Sequence, residues 1–413
     1  MLDMLRINGT RLIERLEALA QIGKDANNAC CRLALTDEDK AGRDLVVQWM
    51  HELGLAVEVD PIGNIFGFRA GLRKDLAPVM TGSHTDTVRT GGKYDGNLGV
   101  LGGLEVVQTL NDAGIQTQRG LVVAVFTNEE GARFAPDMLG SLVYAGGMPL
   151  SEALAVRAID GAALGEELKR IGYAGQAPLG VHKPYAFVEL HIEQGPVLDI
   201  EGIQIGAVKD LQGISWQELT IVGQSNHAGT TPMRMRHDAG YAASRVAVFV
   251  RDLATQMGGD QVGTVGKIDL TPNLINVIAA RAELTVDLRN TNEQLLKEAE
   301  QKFAMFLQAL AQSEGVQIST RELARFEPVE FDSTIADSIQ KHATAYGLSS
   351  RRMTSGAGHD AQMLARICPS GMVFVPSIGG ISHNPAEHTE ARDLIAGCEV
   401  LLATLFELSE QET

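Results

Sequence analysis

The chain has 413 residues, 45% of them hydrophobic, 21% charged and 5% aromatic, with a formal net charge of -17. That length exceeds what one hydrophobic core serves and predicts two domains. The acidic balance excludes nucleic acid, whose phosphates need a basic face, and disfavours an anionic membrane surface.

No run of 18 apolar residues exists to form a membrane helix. The N-terminus, MLDMLRINGTRLIERLEALAQIG, carries charges throughout and does not read as a signal peptide, so a cytoplasmic protein is expected. Cys30, Cys31, Cys368 and Cys398 make no C-x-x-C pair and read as reduced thiols.

Apolar positions at three- and four-residue spacing predict helices over 8–22 and 37–54, the second with Thr36 as N-cap. LAVEVDPIGNIFGFRAG reads as two paired strands across a Pro-Ile-Gly-Asn turn. APVMTGSH is an apolar strand ending in polar residues. GVLGGLEVVQTLNDAG is a helix closed by Gly114, and GLVVAVFTNEEG is another buried strand. Near-continuous apolar strands alternating with helices predict a parallel α/β sheet, in which ligands bind beyond the carboxyl ends of the strands. SHTD and NEEG both fall there.

After residue 210 the texture changes. ISWQELTIVGQSNHAG alternates like a half-exposed antiparallel strand, and YAASRVAVFVRDLATQM is an amphipathic helix. The strands VGTVGKIDL and RAELTVDLRN, the long helix NEQLLKEAEQKFAMFLQALAQSEG and the strand VQISTREL complete an α+β unit. STIADSIQKHATAYG then returns to helix-and-strand alternation. The expected organisation is an α/β catalytic domain, residues 1–210 and 330–413, interrupted by an inserted two-layer α+β sandwich over 211–329.

The polar residues at the strand ends carry the chemistry. His84 with Asp86 two residues on suits a metal ligand whose ring is oriented by a carboxylate. Asp95 lies in GGKYDGNLG, whose flexible backbone could bring in a second ligand; read blandly, the stretch is a polar loop that caps a helix. Glu129 and Glu130 adjoin a buried strand, although a lone Glu-Glu pair is ordinarily a solvated loop. In FVELHIEQGPVL an extended chain puts Glu189, His191 and Glu193 on one face, with Gln194 next; an edge strand with a polar face is the alternative. His383, with Glu387 and His388, sits in the loop PSIGGISHNPAEHT. Histidine nitrogen and carboxylate oxygen together suit borderline divalent metals.

These segments resemble the M20 metallopeptidase clan, and within it the hydantoinase/carbamoylase amidases: N-carbamoyl-L-amino acid hydrolases, β-ureidopropionases and allantoate amidohydrolases. The likeness runs in order through GSHTDTV, GGKYDGNLGVL, NEEGARF, ELHIEQGPVL, NHAGTTPM, NVI, DLRN, SGAGHDAQ and GISHNPAE. It implies a zinc-peptidase-like catalytic domain with a mixed sheet, and an inserted domain that acts as lid and homodimer interface. It also implies two divalent ions, zinc first, with manganese, cobalt and nickel as alternatives. His84 and His191 would bind one ion, Glu130 and His383 the other, with Asp95 bridging and Asp86 orienting His84. Glu129 would be general base and then general acid, which gives the adjacent glutamates two different tasks. His227 would stabilise the oxyanion, Asn276 and Arg289 would hold the substrate carboxylate, and Gln194 and His359 would contact the ureido end and the substrate.

The implied reaction is hydrolysis of the ureido C–N bond of an N-carbamoyl amino acid, a small carboxylate-bearing substrate. An allantoate amidohydrolase is the alternative reading; a dipeptidase and a non-catalytic scaffold stand behind it.

Overall fold

The strands begin where apolar, β-branched runs leave the helical spacing. In the computed structural model, which describes residues 5–412, six precede the insertion. These are β1 (Ala56–Val59), β2 (Ile65–Arg69), β3 (Val79–His84), β4 (Leu121–Phe126), β5 (Ala186–Ile192) and β6 (Ile205–Leu211). Four follow: β7 (Gly213–Val222), β8 (Val262–Thr271), β9 (Arg281–Asn290) and β10 (Gln317–Phe326). The last three are β11 (Val329–Glu330), β12 (Ser350–Ser355) and β13 (Ser370–Val375). The first four residues of the charged N-terminal stretch lie outside the described residues.

The chain divides into two units, Met1–Lys209 with Glu330–Thr413, and Asp210–Val329. In the first, nine strands among the described residues form a mixed sheet in the order β1-β2-β4-β3-β5-β13-β6-β11, with β12 paired to β6. β4, β3, β5 and β13 are contiguous and mutually parallel. β1 and β2 pair antiparallel across the expected Pro-Ile-Gly-Asn turn. β3, β4, β5 and β13 are buried along their whole length, as expected of strands covered on both faces. The helices Asn97–Asp112 and Ala391–Ser409 are apolar nearly all round and belong to the core beside these strands. Each Leu, Val or Phe so buried contributes about 1.5–3 kcal/mol. Thr36 caps the helix Asp37–Glu52 through the N–H of Asp39, as its sequence predicts.

In the second unit β10-β7-β9-β8 form an antiparallel sheet. One face alternates inward: Leu219 and Ile221 of β7 with Ala282, Leu284, Val286 and Leu288 of β9 share a core with Val246, Val250, Phe303 and Leu307 of the helices Ala239–Met257 and Glu293–Glu314. The opposite face carries the polar residues, Arg289 among them. No helix among the described residues is long and apolar enough to cross a membrane, and all four cysteines are free.

Candidate metal centre

Four neighbouring parallel strands end together, and their last residues and following loops supply the site. His84 closes β3 in register with Phe126, the last residue of β4. The chain leaving β4 therefore carries Glu129 and Glu130 to His84. Asn128 makes this turn at φ 56°, and its side-chain amide donates to the carbonyls of Phe134 and Pro136. His191 lies one residue from the end of β5, beside Phe374 of β13. Gln194 (φ 58°) and His383 (φ 53°) also adopt left-handed backbone conformations, uncommon for residues with a side chain.

Asp95 is the centre of the arrangement. Its Oδ1 lies 3.2 Å from Nε2 of His191 and 3.7 Å from Nε2 of His84. Its Oδ2 lies 3.2 Å from Nε2 of His383, which is 3.3 Å from Oε2 of Glu130. Gln194 donates its amide N–H to the same Oδ2 at 2.9 Å. Two donor sets, His84–Asp95–His191 and Asp95–Glu130–His383, thus share one carboxylate, and within each set the ligand atoms lie within 4.8 Å of one another. The loop reaches this position through Gly96 at φ 66°, where a Cβ would meet the His84 ring at 2.4 Å. Glu129 stands outside both sets, with Oε2 3.3 Å from Nε2 of His84.

The histidine rings are oriented by main-chain carbonyls. Nδ1 of His191 donates to the carbonyl of Ile192 at 2.8 Å, and Nδ1 of His84 to that of Asp86 at 2.9 Å. The atom of Asp86 that orients His84 is therefore the carbonyl oxygen rather than the expected carboxylate. Two residues on from a strand end, the main chain is the closer acceptor. The Asp86 carboxylate instead accepts the N–H groups of Glu129 (3.3 Å) and Glu130 (3.4 Å), which fixes the turn bearing both glutamates.

Charge at the centre is lopsided. Burial disfavours a charged His84, but Asp86, Glu130, Asp95 and Asp360 outweigh it and hold the ring at about 9. Hydrogen bonds that the His383 ring donates to Asp95 and Glu130 raise it to about 11. Burial, with Asp360, Glu130 and Asp95 nearby, pushes Glu129 well above the usual carboxylate range. Protons on histidine here balance a crowd of carboxylates.

The sequence profile described as Peptidase family M20/M25/M40 matches residues 80–407. The chain belongs to that family. An N-carbamoyl-L-amino-acid amidohydrolase of Rhizobium meliloti is 41% identical over 405 residues, 98% of this chain and 97% of its own. A crystal structure of an amidase of the hydantoinase/carbamoylase family from Burkholderia multivorans matches with a TM-score of 0.94 at 44% identity, over 99% of this chain and all (100%) of that one. An allantoate amidohydrolase of Bacillus subtilis is 34% identical over 96% of this chain and 97% of its own. Within M20/M25/M40 the chain therefore groups with the hydantoinase/carbamoylase amidases.

For a member of this family the donor chemistry fits divalent cations. With Nδ1 donating to a carbonyl, Nε2 of His84 and of His191 is the ring atom left to exchange its proton for a cation, and buried Oε1 of Glu130 has no hydrogen-bond partner. A third cluster, Glu189–His191–His359, is closed by hydrogen bonds. Glu189 accepts Ser83 Oγ (2.6 Å) and the N–H of Ala361 (2.9 Å), and His359 Nε2 meets Ser355 Oγ at 3.0 Å. His359, expected to contact substrate, is only 1% exposed and stands edge-on to His191 with ring centroids 4.5 Å apart. Glu193 accepts the N–H groups of Val197 and Leu198 and takes no part in the centre.

Reasoning from the sequence gave no task to Glu189, Asp360 or Glu387. Each is buried, Asp360 on Ser141 Oγ at 2.5 Å and Glu387 on the loop of Asp95. Burial beside Asp95 holds Glu387 at about 7. A glutamate shortly after a proposed loop ligand, as in SHNPAE, was the available signal.

His227, Asn276 and Arg289 belong to the second unit. There the exposed His227 accepts the N–H groups of Gly229 (3.0 Å) and Thr230 (3.2 Å) at Nδ1, which puts its proton on Nε2. Asn276 is stitched to the same loop by the bond from Ala228 N–H to its carbonyl, 2.9 Å. Arg289 extends from β9, paired with Asp287 (2.9 Å) and 5.7 Å from the Trp216 ring centroid.

Proposed function

We propose that this chain is a metal-dependent amidohydrolase that cleaves the ureido C–N bond of N-carbamoyl-L-amino acids or N-carbamoyl-β-alanine, giving the amino acid, carbon dioxide and ammonia. The observation that carries the reading is Asp95, whose two oxygens face different histidine-and-carboxylate sets, with the uncommitted Glu129 alongside. His84 and His191 would hold one ion, Glu130 and His383 a second, and Asp95 both; zinc suits these ligands first, with manganese, cobalt or nickel as alternatives. When bound, such a pair supplies Lewis acidity at the ureido carbonyl and makes water acidic enough to attack near neutral pH.

The remaining steps belong to side chains. Glu129 takes a proton from the attacking water and returns it to the amino-acid nitrogen as the C–N bond breaks, and the carbamate left behind decomposes. Asp86 holds Glu129 in place through its N–H. His227, with its proton on Nε2, is suited to donate to the developing oxyanion. Arg289 and Asn276 bind the substrate carboxylate, for which the planar guanidinium is matched. Gln194 and His359 serve the ureido end, His359 by backing His191.

The insertion, residues 211–329, serves as lid and homodimer domain. Its ten-residue edge strand β8 and the exposed Tyr241 and Val248 of the adjoining helix support this. A monomer by light scattering would overturn the dimer. Allantoate is the second candidate substrate, because one relative is an allantoate amidohydrolase.

The test is ammonia release from N-carbamoyl-L-amino acids, N-carbamoyl-β-alanine and allantoate, side by side, by chelator-treated and metal-supplemented protein. Turnover of a carbamoyl substrate that depends on added metal is the expected result. No turnover of any of the three would favour a scaffold.

A further inference from the structure

We propose that Glu387 is a positioning residue, a clasp that ties the loop of Asp95 to the loop of His383 and so keeps the two donor sets in register. The inference rests on the reading of Asp95 as a shared metal ligand.

Glu387 lies four residues beyond His383, is 4% exposed, and belongs to neither donor set. Its Oε1 accepts the N–H of Tyr94 at 3.0 Å and that of Asp95 itself at 3.3 Å, across 293 and 292 residues of sequence. Its Oε2 accepts Oγ of Ser382, the residue before His383, at 3.0 Å. Thr90 Oγ1 adds a bond to the carbonyl of His383 at 3.0 Å. The carboxylate thus grips both loops next to their ligands.

The space around it is fitted to the task. A Cβ at Gly92 would lie 2.1 Å from Oε1 and 2.4 Å from Cβ of Glu387, so only glycine lets the carboxylate reach the two N–H groups. A buried carboxylate without hydrogen bonds is costly, and here three donors offset that cost. Removing it leaves the Tyr94 and Asp95 N–H groups unpaired and the Asp95 loop free to tilt. Substituting a partner that orients a metal ligand typically weakens metal binding about 10–100-fold.

The experiment titrates chelator-stripped full-length wild type, Glu387→Gln and Glu387→Ala with Mn2+ by calorimetry, alongside a thermal melt. Glu387→Ala is expected to bind Mn2+ about 10–100-fold more weakly than wild type. Glu387→Gln should stay near wild type, because its amide oxygen still accepts both N–H groups and Ser382 Oγ can accept from its NH2. A merely structural role would lower the melting temperature and leave Mn2+ affinity unchanged, which would overturn the proposal. It would also fall if Gln were as weak as Ala, since charge rather than the clasp would then matter. If Glu387→Ala does not fold, Gly92→Ala carries the test: weakened Mn2+ binding supports the clasp and wild-type binding refutes it. Wild-type protein that binds no Mn2+ would remove the metal-centre reading, and the clasp with it.

Discussion

Glu129 and His84 meet at 3.3 Å, while Glu130, the next residue in the chain, turns to His383. Neighbouring carboxylates thereby enter different relationships, one with the free edge of the centre and one within a donor set. Glu129→Gln preserves shape and removes the proton acceptor. It should retain metal content and substrate affinity and lose about 10²–10⁴-fold in kcat, measured by ammonia release at saturating substrate. Rates like wild type would take Glu129 out of the reaction.

Asp95 gives one oxygen to each donor set, so its loss is expected to abolish both ions together. Elemental analysis after metal loading and desalting should find Asp95→Ala nearly metal-free. His383→Ala should keep the ion held by His84 and His191. Equal losses in the two variants would contradict a shared carboxylate.

Arg289 is the proposed anchor for the far carboxylate of the substrate. Hydrogen bonds to a charged group are worth about 1.5–3 kcal/mol, so Arg289→Ala should raise KM roughly 10–150-fold. The same variant should bind a substrate analogue in which an amide replaces that carboxylate no worse than wild type does. An equal loss for both compounds would argue for collapse of the sheet face instead.

Glu407 joins the helices Ser333–Ala345 and Ala391–Ser409, accepting from Ser338, Lys341 and His342. Burial works against its charge, yet these three partners outweigh it and hold the carboxyl at about 2, below its unfolded value. The sign follows: the contribution is complete above the unfolded pKa and is lost as pH falls toward 2. With one face in solvent, Glu407→Gln should cost about 1 kcal/mol at pH 7, a drop of about 1–2 °C in melting temperature for a unit of this size. The difference from wild type should shrink steadily below about pH 4.3. A gap that widens in acid would reverse the assignment.

Strand-end logic made much of the centre legible. An apolar run that stops at a histidine or a pair of glutamates points to the carboxyl edge of a parallel sheet, and His84, Glu129, Glu130 and His191 follow from it. Thr36 and Gly114 marked helix boundaries for local reasons, which a sequence displays directly. β5 was harder, since Glu189, His191 and Glu193 fit an edge strand equally well. The strand lies between β3 and β13, and its polar face is satisfied by Ser83 and the N–H of Ala361. Glu387 was visible but had no readable task, because its partners are main-chain N–H groups nearly three hundred residues away. Asp86 was found for the right neighbourhood with the wrong atom.

Asn128, Gln194 and His383 all hold backbone torsions that glycine would adopt more comfortably, and all three border the centre. Each such residue ordinarily lowers stability by about 1–3 kcal/mol. Laboratory selection for heat resistance alone should therefore drift toward glycine at Gln194 and His383, trading a firmly aimed side chain for a sturdier but idle scaffold. Asn128, by contrast, is kept by its amide's bonds to the carbonyls of Phe134 and Pro136. Anyone hardening this catalyst has to screen on turnover from the first round.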